Sequence, residues 1–592
     1  MALQSRSAAA ADPAAMAPLP LQAMDFTSLK AVLWELRPQL LPSRFEKARQ
    51  ADAHTLQLGF RSLEGRTWLE LSWLAEAPRL LAIEPPPRGG EGSTLAQQLQ
   101  HGLSGLALVG LEQPGWERVV ELQFAQRPGE AIQRSLVVEL MGRRSNLFLL
   151  DADRRVVAAA RQVRDQQSRL RPIGTGDRYS PPPPLAGSPP CRDEPFAHWR
   201  RQLSLLPLPL GRALASAYQG ISPALALQLA GQERHAAEAR LATPVNALNE
   251  ADWQQLWQRW QAWLTALSDE QFRFRSGGAS VYSCWDPEAA APAASLVINR
   301  ALAAHHGAVL LARSLQRRCS NLEQRLRQAL EREHGQRLEQ QQRLDQVESS
   351  NQLQQQADAL LCLANPSREQ VAEAQALYQR ARKLRRSVQA ITPRLALHDS
   401  RIEQLEASLT YLEQWGEGSA SEPERLLQLQ ALEQESEALL AGRRQRRRGS
   451  EGSVSGDAPV PLEITSPDGL RLQVGRNHRQ NEWISLRQAR RGDLWFHAQE
   501  CPGSHVVLKS SEGSASDRDL QAAADLAAHF SRARGNGRVP VLMVPSETLQ
   551  RIPGAGPGTV RHRGGEVLWA EPSRAQHLLT PPVHSLGQDS QP

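Results

Sequence analysis

The chain has 592 residues, with 69 Lys or Arg against 63 Asp or Glu, a net charge of +6 and a pI near 9.3. That length exceeds what one hydrophobic core fills and implies roughly three to five domains. Five scattered cysteines with no CxxC pair argue against a zinc ribbon or disulfide framework and fit a reducing compartment, while no apolar run reaches the ~20 residues that cross a bilayer.

Residues 1–23 are Ala/Pro-rich and lack a basic start followed by an unbroken apolar core, so they read as a disordered extension rather than a signal peptide. Residues 24–185 read as an α+β domain. Leu29, Val32, Leu33, Leu36 and Leu40 recur at helical spacing. Short alternating runs at 55–60, 67–73, 80–83, 119–124, 136–140 and 146–150 suit strands, with a helix at 95–103. The run Pro181–Pro184 is stiff and extended and closes the block.

Residues 196–270 read as a small helical domain. Tyr218-Gln219-Gly220-Ile221-Ser222-Pro223 joins two apolar helical patterns and has the look of a helix-hairpin-helix turn, whose amides could meet a phosphate. The plainer reading is a helix start with Ser222 as cap and Pro223 at the first position. Residues 297–440 carry a heptad seam: Leu377, Ala381, Leu384, Val388, Ile391, Leu395, Ile402, Leu405, Leu409 and Leu412 step by fours and threes. The preceding helix repeats the pattern at Leu315, Cys319, Leu322, Leu326 and Ala329, and Asn365-Pro366-Ser367 marks a reversal. The reading is a long antiparallel coiled-coil arm, kinked at Pro393. Arg380, Arg382, Lys383, Arg385 and Arg386 make it strongly basic at one place, as a solvated face or as a contact for a polyanion. Residues 441–459 read as a basic flexible linker, 460–571 as a second α+β domain, and 572–592 as a disordered tail.

The stretch Val474–Lys509 crowds Arg476, Asn477, His478, Arg479, Gln480 and Asn481 together, followed by Trp483, Arg490, Arg491, Asp493, Trp495, His497 and His505. Unpaired polar groups are expensive to bury, so the stretch reads as a nucleic-acid-facing surface, or else as a polar loop with two core tryptophans. For Trp495 the core is preferred. Only four of the 69 basic residues are lysine, and the arginine fork suits phosphates and bases. Signatures of enzymes are missing: no GxxxxGK[ST], GxSxG or HExxH occurs. His497 and His505 have no further metal ligand at a recognised spacing, and Glu117, Glu139 and Asp493 would serve as acid or base only if they converged. No metal or other cofactor is expected.

Several segments together resemble the NFACT family. These are Glu139-Leu140-Met141-Gly142-Arg143-Arg144-Ser145-Asn146, the Gly220–Pro223 turn, Gly475–Asn481, Asp493–His497, Pro502–Val507 and Gly554–Gly558. The resemblance covers about residues 24–571. It implies a multidomain α+β protein: an NFACT-N domain, a helix-hairpin-helix domain, the coiled-coil arm and an NFACT-R RNA-binding domain. It implies a cytoplasmic, ribosome-associated factor that binds large subunits still holding peptidyl-tRNA, recruits tRNA, alanyl-tRNA in bacteria, and promotes alanine tailing of the nascent chain. The ribosome's own peptidyl-transferase centre would form the bonds, so the protein is not itself expected to be an enzyme, and neither a membrane nor a small-molecule substrate is expected. The family's Asp-Arg pair falls on Glu117-Arg118, and Glu139, Leu140 and Arg143 match its functional segment, all implied to serve tRNA. The family's early Phe-Asp-Gly falls on Phe26-Thr27-Ser28, leaving Asp25 as a nearby substitute. Arg476, Asn477, His478, Asn481, His497 and His505, with the five basic residues of the arm, are the implied RNA contacts. The alternative is a surface fibronectin-binding adhesin, which would need export. A DNA-glycosylase reading lacks the N-terminal proline nucleophile.

Overall fold

The computed structural model describes residues 21–579 apart from 88–92, 167, 169, 291–293, 364, 418–420, 442–457 and 553–555. The chain separates into two compact units that meet in sequence between Arg313 and Ser314.

The N-terminal unit opens with α1 (Phe26–Leu40), capped by Asp25, whose carboxylate accepts from the Ser28 N–H at 2.8 Å. Nine strands follow, with one helix among them: β1 (Ser43–Asp52), β2 (Thr55–Ser62), β3 (Gly65–Ser72), β4 (Arg79–Ile83), α2 (Thr94–Leu103), β5 (Ala107–Glu112), β6 (Val119–Ala125), β7 (Arg134–Glu139), β8 (Asn146–Leu150) and β9 (Val156–Ala159). They form one antiparallel sheet in the order β4-β3-β2-β1-β5-β6-β7-β8-β9. The helix α1 buries Leu29, Val32, Leu33 and Leu36 in a core shared with Leu58, Phe60, Leu71, Leu122 and Phe124 of the sheet.

Five helices come next: α3 (Phe196–Leu203), α4 (Leu210–Ala217), α5 (Pro223–Ala230), α6 (Arg234–Ala242) and α7 (Glu250–Ser268). Their core is a knot of indoles. Trp199, Trp253, Trp260 and Trp263 are fully buried, with ring centroids 5.1–5.8 Å apart along the chain of contacts. Much of the tryptophan content is thus structural. A small ribbon, β10 (Arg275–Ser276) with β11 (Tyr282–Ser283), precedes the 65-residue helix α8 (Val297–Leu361). Glu35 of α1 caps the start of α8: its carboxylate accepts from the Ile298 and Asn299 N–H groups at 2.9 Å. A buried carboxylate at a helix N-terminus satisfies two otherwise orphaned donors.

In the C-terminal unit α8 continues beside α9 (Arg368–Glu413). Glu333 accepts from Arg401 at 2.8 Å and faces His398 at 2.6 Å, Arg337 pairs with Asp399, and Tyr378 bonds Asp358. Partners rise on one helix as they fall on the other, so the pair is antiparallel. Ala381, Ile391, Ile402, Leu405 and Leu412 of the heptad seam are buried, and the seam's remaining leucines and valine are half-buried. Ser367 and Gln370 form a capping box at the start of α9, and the helix continues through Pro393. Next come α10 (Glu422–Leu440), β12 (Leu462–Thr465), β13 (Arg471–Val474), α11 (His478–Trp483) and a π-helical turn at Ile484–Gln488. The remaining elements are β14 (Leu494–Ala498), β15 (Val506–Leu508), α12 (Asp517–His529), β16 (Val539–Pro545), β17 (Gln550–Arg551), β18 (Val560–Arg561), β19 (Glu566–Ala570) and α13 (Gln576–Leu579). The antiparallel sheet β12-β13-β15-β14-β16-β19 carries α12 on one face. There Ala523, Ala524, Ala527 and Ala528 pack on Phe496, Val506 and Val541. The other face holds a smaller core of Ile484, Trp495, Val507, Val544 and Leu549.

Two expectations for the ends need correction. Residues 21–23 belong to the fold: the Gln22 amide donates to the Tyr282 carbonyl at 2.9 Å and accepts from the Val281 N–H at 3.0 Å. Residues 572–579 are helical rather than a loose tail. Pro572 and Ala575 are buried, and Arg574 pairs with Asp525 at 2.8 Å. Residues 1–20 and 580–592, the linker at 442–457 and Gly554-Ala555 lie outside the described residues.

Candidate nucleic-acid interfaces

Antiparallel pairing of β6 with β7 sets Val119 opposite Glu139, and the Leu140 N–H bonds the Arg118 carbonyl at 2.9 Å. Two segments 22 residues apart therefore arrive at one end of the sheet. A cleft of about 530 Å³ opens there, lined by Asp25, Phe26, Trp116, Glu117, Arg118, Met141, Arg144, residues 182–186 and the 220–223 turn. The Pro182–Pro184 strap forms one wall, tied by the Leu185 N–H to the Glu117 carboxylate at 3.1 Å. Burial pushes the Glu117 carboxyl above its usual range, while this N–H and the Arg118 charge favour ionisation. The Arg118 guanidinium reaches the Met24 carbonyl at 3.4 Å.

The floor is aromatic. Phe26 stacks on Trp116 at 4.7 Å, and Trp116 meets Trp263 at 5.9 Å. Gly220 has φ +76°, and a Cβ there would lie 3.0 Å from the Trp116 ring. Only glycine gives this turn both its left-handed backbone and its close approach. Ser222 is the cap of α5, accepting from the Leu225 N–H at 2.9 Å, and its hydroxyl donates to Asp25 at 2.7 Å. Asp25 thus stands in the cleft with Glu117 and Arg118, where residue types alone left its role open. Acceptors, guanidiniums and an aromatic plate suit binding of a polar, flat or anionic group.

Of the other implied tRNA residues, Glu139 and Leu140 are buried rather than in the cleft, and Arg143 is exposed beside it. Glu139, at 1% exposure, holds Arg171 bidentately (2.6 and 2.9 Å) and accepts from the Tyr179 hydroxyl at 2.9 Å. Burial, then the adjacent Glu139 charge, pushes the Tyr179 hydroxyl far above its usual range. Arg171 also donates to the Ser180 carbonyl at 2.9 Å, so Glu139 anchors the segment that becomes the proline strap. Arg144 and Trp116 line the cleft but were not singled out from sequence. Their one signal was adjacency to Arg143 and Glu117.

The polar stretch of the C-terminal unit folds inward. Asn477 caps α11, accepting from the Gln480 N–H at 2.8 Å. Asn481 donates to the Tyr411 hydroxyl at 2.8 Å and accepts from the His505 N–H at 3.0 Å. The His478 ring lies 3.1 Å from the Ser408 hydroxyl and 3.2 Å from the Gln404 carbonyl, and the His505 ring meets the Ser485 hydroxyl at 2.8 Å. Burial pushes His478 and His497 down to about 4 and His505 well below its usual value, so these rings are neutral at pH 7. Asn477, His478, Asn481 and His505 are buried, and His497 stacks on Trp495 at 5.6 Å. Asn477, His478 and Asn481, expected as RNA contacts, lie instead in the seam on which α9 and α10 dock, and His505 is buried against Ser485 and Trp495. Glu435 of α10 accepts from the His478 N–H at 3.1 Å, and burial pushes its carboxyl up to about 7. Arg476 is half-buried against Gln428. Arg380, Arg382, Lys383, Arg385 and Arg386 are all exposed on α9, with Arg385 bonded to Gln354. Lys509 and Asp493 form a buried ion pair at 3.0 Å.

A profile of the NFACT N-terminal and middle domains matches residues 25–369, more than half of the chain. The chain belongs to the NFACT family. A second profile, the NFACT protein RNA binding domain, matches residues 462–564. A protein named Rqc2 homolog RqcH from Streptococcus pneumoniae (serotype 2, strain D39) is 25% identical over 576 residues, spanning 92% of this chain and 97% of its own. Its namesake in Bacillus subtilis is 24% identical over 574 residues, spanning 91% and 96%. The solved C-terminal part of a fibronectin/fibrinogen-binding protein from Streptococcus suis is 27% identical, with a TM-score of 0.37, and spans 45% of this chain and 99% of that one. Among the described residues of this NFACT chain, no cluster of three or more His, Cys, Asp or Glu is placed to hold a metal ion, and no helix is long and apolar enough to cross a membrane.

Proposed function

We propose that this chain is a cytoplasmic ribosome-associated quality-control factor. It binds large subunits that retain a peptidyl-tRNA, recruits alanyl-tRNA and promotes C-terminal alanine tailing, with the ribosome forming the peptide bonds. The α8–α9 pair would act as a coiled-coil arm whose exposed basic cluster meets rRNA. The α4–α5 turn would act as a helix-hairpin-helix element beside the tRNA. The supporting observation is the cleft that brings Glu117 and Arg118 together with Asp25 and Arg144 in a chain whose named relatives match it nearly end to end. Positioning of tRNA alone can supply a large rate term.

The test is Glu117→Ala with Arg118→Ala. Tailing of a stalled reporter chain should be lost while co-sedimentation with large subunits is retained. Alanine tails of normal length from the double variant would refute the assignment.

A further inference from the structure

We infer that the sheet face opposite α12 is where the C-terminal domain grips an RNA backbone. This rests on the RNA-binding reading above and adds the place. Strand alternation turns Trp495, Val507, Val544, Val567 and Trp569 to that face, while Phe496, Val506, Val541 and Leu568 turn to α12. The small core on that face is roofed by the turn Ile484–Gln488 and the β17–β18 hairpin, through Leu486, Ala489 and Val560. Five arginines border this roof: Arg487, Arg490, Arg491, Arg561 and Arg563. All are exposed, and among the described residues none has a carboxylate partner. The segment 561–565 crosses the same face, since a Cβ on Gly565 would lie 2.6 Å from Val544 and 2.8 Å from Leu542.

Arginines around α12 and its flanks are neutralised. Arg518 pairs with Asp468, Arg534 with Glu417, Arg538 with Glu571 and Arg574 with Asp525. On the opposite face, among the described residues, Arg551 pairs with Glu482 at 3.3 Å, Arg471 with Glu512 and Lys509 with Asp493 at 3.0 Å, whereas the five arginines bordering the roof have no carboxylate partner. The roof has therefore kept five cations unneutralised, the arrangement that attracts a polyanion. Trp569 of the edge strand β19 is 60% exposed on the charged face. An exposed indole beside guanidiniums offers a stacking platform for an unpaired base, which an acidic peptide would not use.

The test uses the full-length chain, a fluorescein-labelled oligouridylate and anisotropy titrations over a range of KCl concentrations. Arg490→Ala with Arg561→Ala should lower the slope of log affinity against log salt by about 1.4, at ~0.7 per lost phosphate contact on single strands. Arg518→Ala with Arg538→Ala removes the same charge and should leave the slope unchanged. Trp569→Ala should weaken binding roughly ten-fold, and Trp569→Phe should restore most of it. Equal slopes for the two double variants would overturn this inference alone. Displacement by polyglutamate as efficient as by RNA, with Trp569→Ala silent, would assign the face to an acidic peptide and overturn it. Absence of RNA binding by the unmodified chain would overturn both this inference and the reading beneath it.

Discussion

Arg171→Ala tests whether Glu139 acts by anchoring the cleft wall rather than by touching RNA. In the folded chain the Glu139 carboxylate is 1% exposed and is satisfied by Arg171 and the Tyr179 hydroxyl. Removing Arg171 strips both charge-assisted bonds and leaves one hydroxyl to hold a buried anion. Breaking such a pair by removing one partner costs about 3–5 kcal/mol. The guanidinium also lies over the Tyr179 and Phe148 rings at 5.4 and 5.8 Å, adding about 0.5–1 kcal/mol. We expect a loss of about 4 kcal/mol, which at roughly 2 °C per kcal/mol for a unit of this size lowers its melting temperature by about 8 °C. Thermal unfolding of the full chain followed by near-ultraviolet circular dichroism measures this. Glu139→Leu with Arg171→Met, which removes both charges and keeps apolar volume, should recover most of the loss. Tailing should fall in Arg171→Ala although Arg171 does not line the cleft, because the Arg171–Ser180 contact that sets the Pro182–Pro184 strap is gone. A single variant within 1 kcal/mol of the unmodified chain, or a double variant no better than the single, would refute this reasoning.

Acid should weaken the C-terminal unit. His478 and His497 have folded values near 4 against ~6.5 unfolded, so the unfolded chain binds more protons between those limits, and stability is full above pH 6.5 and falls as pH drops towards 4, by at most about 3 kcal/mol per histidine. Glu435, raised to about 7, has the opposite sign: its share is full below pH ~4.5 and lost as pH rises through 7, offsetting one histidine. Urea unfolding from pH 7.5 to 4.5 should show the fall, and His478→Asn should remove about 1.4 kcal/mol per pH unit from the slope; an unchanged slope would contradict the burial of that ring. At the cleft, Gly220→Ala forces a left-handed alanine whose methyl meets the Trp116 ring. We expect a loss of about 1–2 kcal/mol and a tailing defect larger than the stability loss explains, measured by urea unfolding beside the reporter assay.

The strands legible from sequence were those with clean period-two alternation, such as Thr55–Ser62 and Val119–Ala125. Three central strands were not: β1, β14 and also β5, whose register shifts between Leu108 and Gly110. In β1 the register shifts between Phe45 and Lys47, so its inward positions drop out of phase, and buried Gln50 reads as surface. In β14 both faces are covered, so Leu494–Ala498 shows no alternation and its His and Trp look like a site. The polar motif misled for a related reason. Whether Asn481 or His478 faces water depends on acceptors supplied by Gln404, Ser408 and Tyr411, some 70 residues earlier, and residue type alone carries no trace of them. The cleft was legible only through the family resemblance, since what unites Glu117 with Leu140 is a hairpin register.

That register also bears on Glu117, where the family resemblance implies an Asp. The Glu117 carboxylate is already engaged by the Leu185 N–H of the strap. An aspartate there would be one methylene shorter, and would leave either that N–H or the cleft without its acceptor. Asp25 meanwhile caps α1, holds Ser222 and still lines the cleft. The two carboxylates thus divide the work: Glu117 fastens the wall, and Asp25 keeps a second acceptor in the cleft. Glu117→Asp should consequently loosen the strap. The combination Glu117→Asp with Asp25→Asn should cost more tailing than either single change, because both carboxylates line the one cleft, and a double variant no worse than the less active single would refute this.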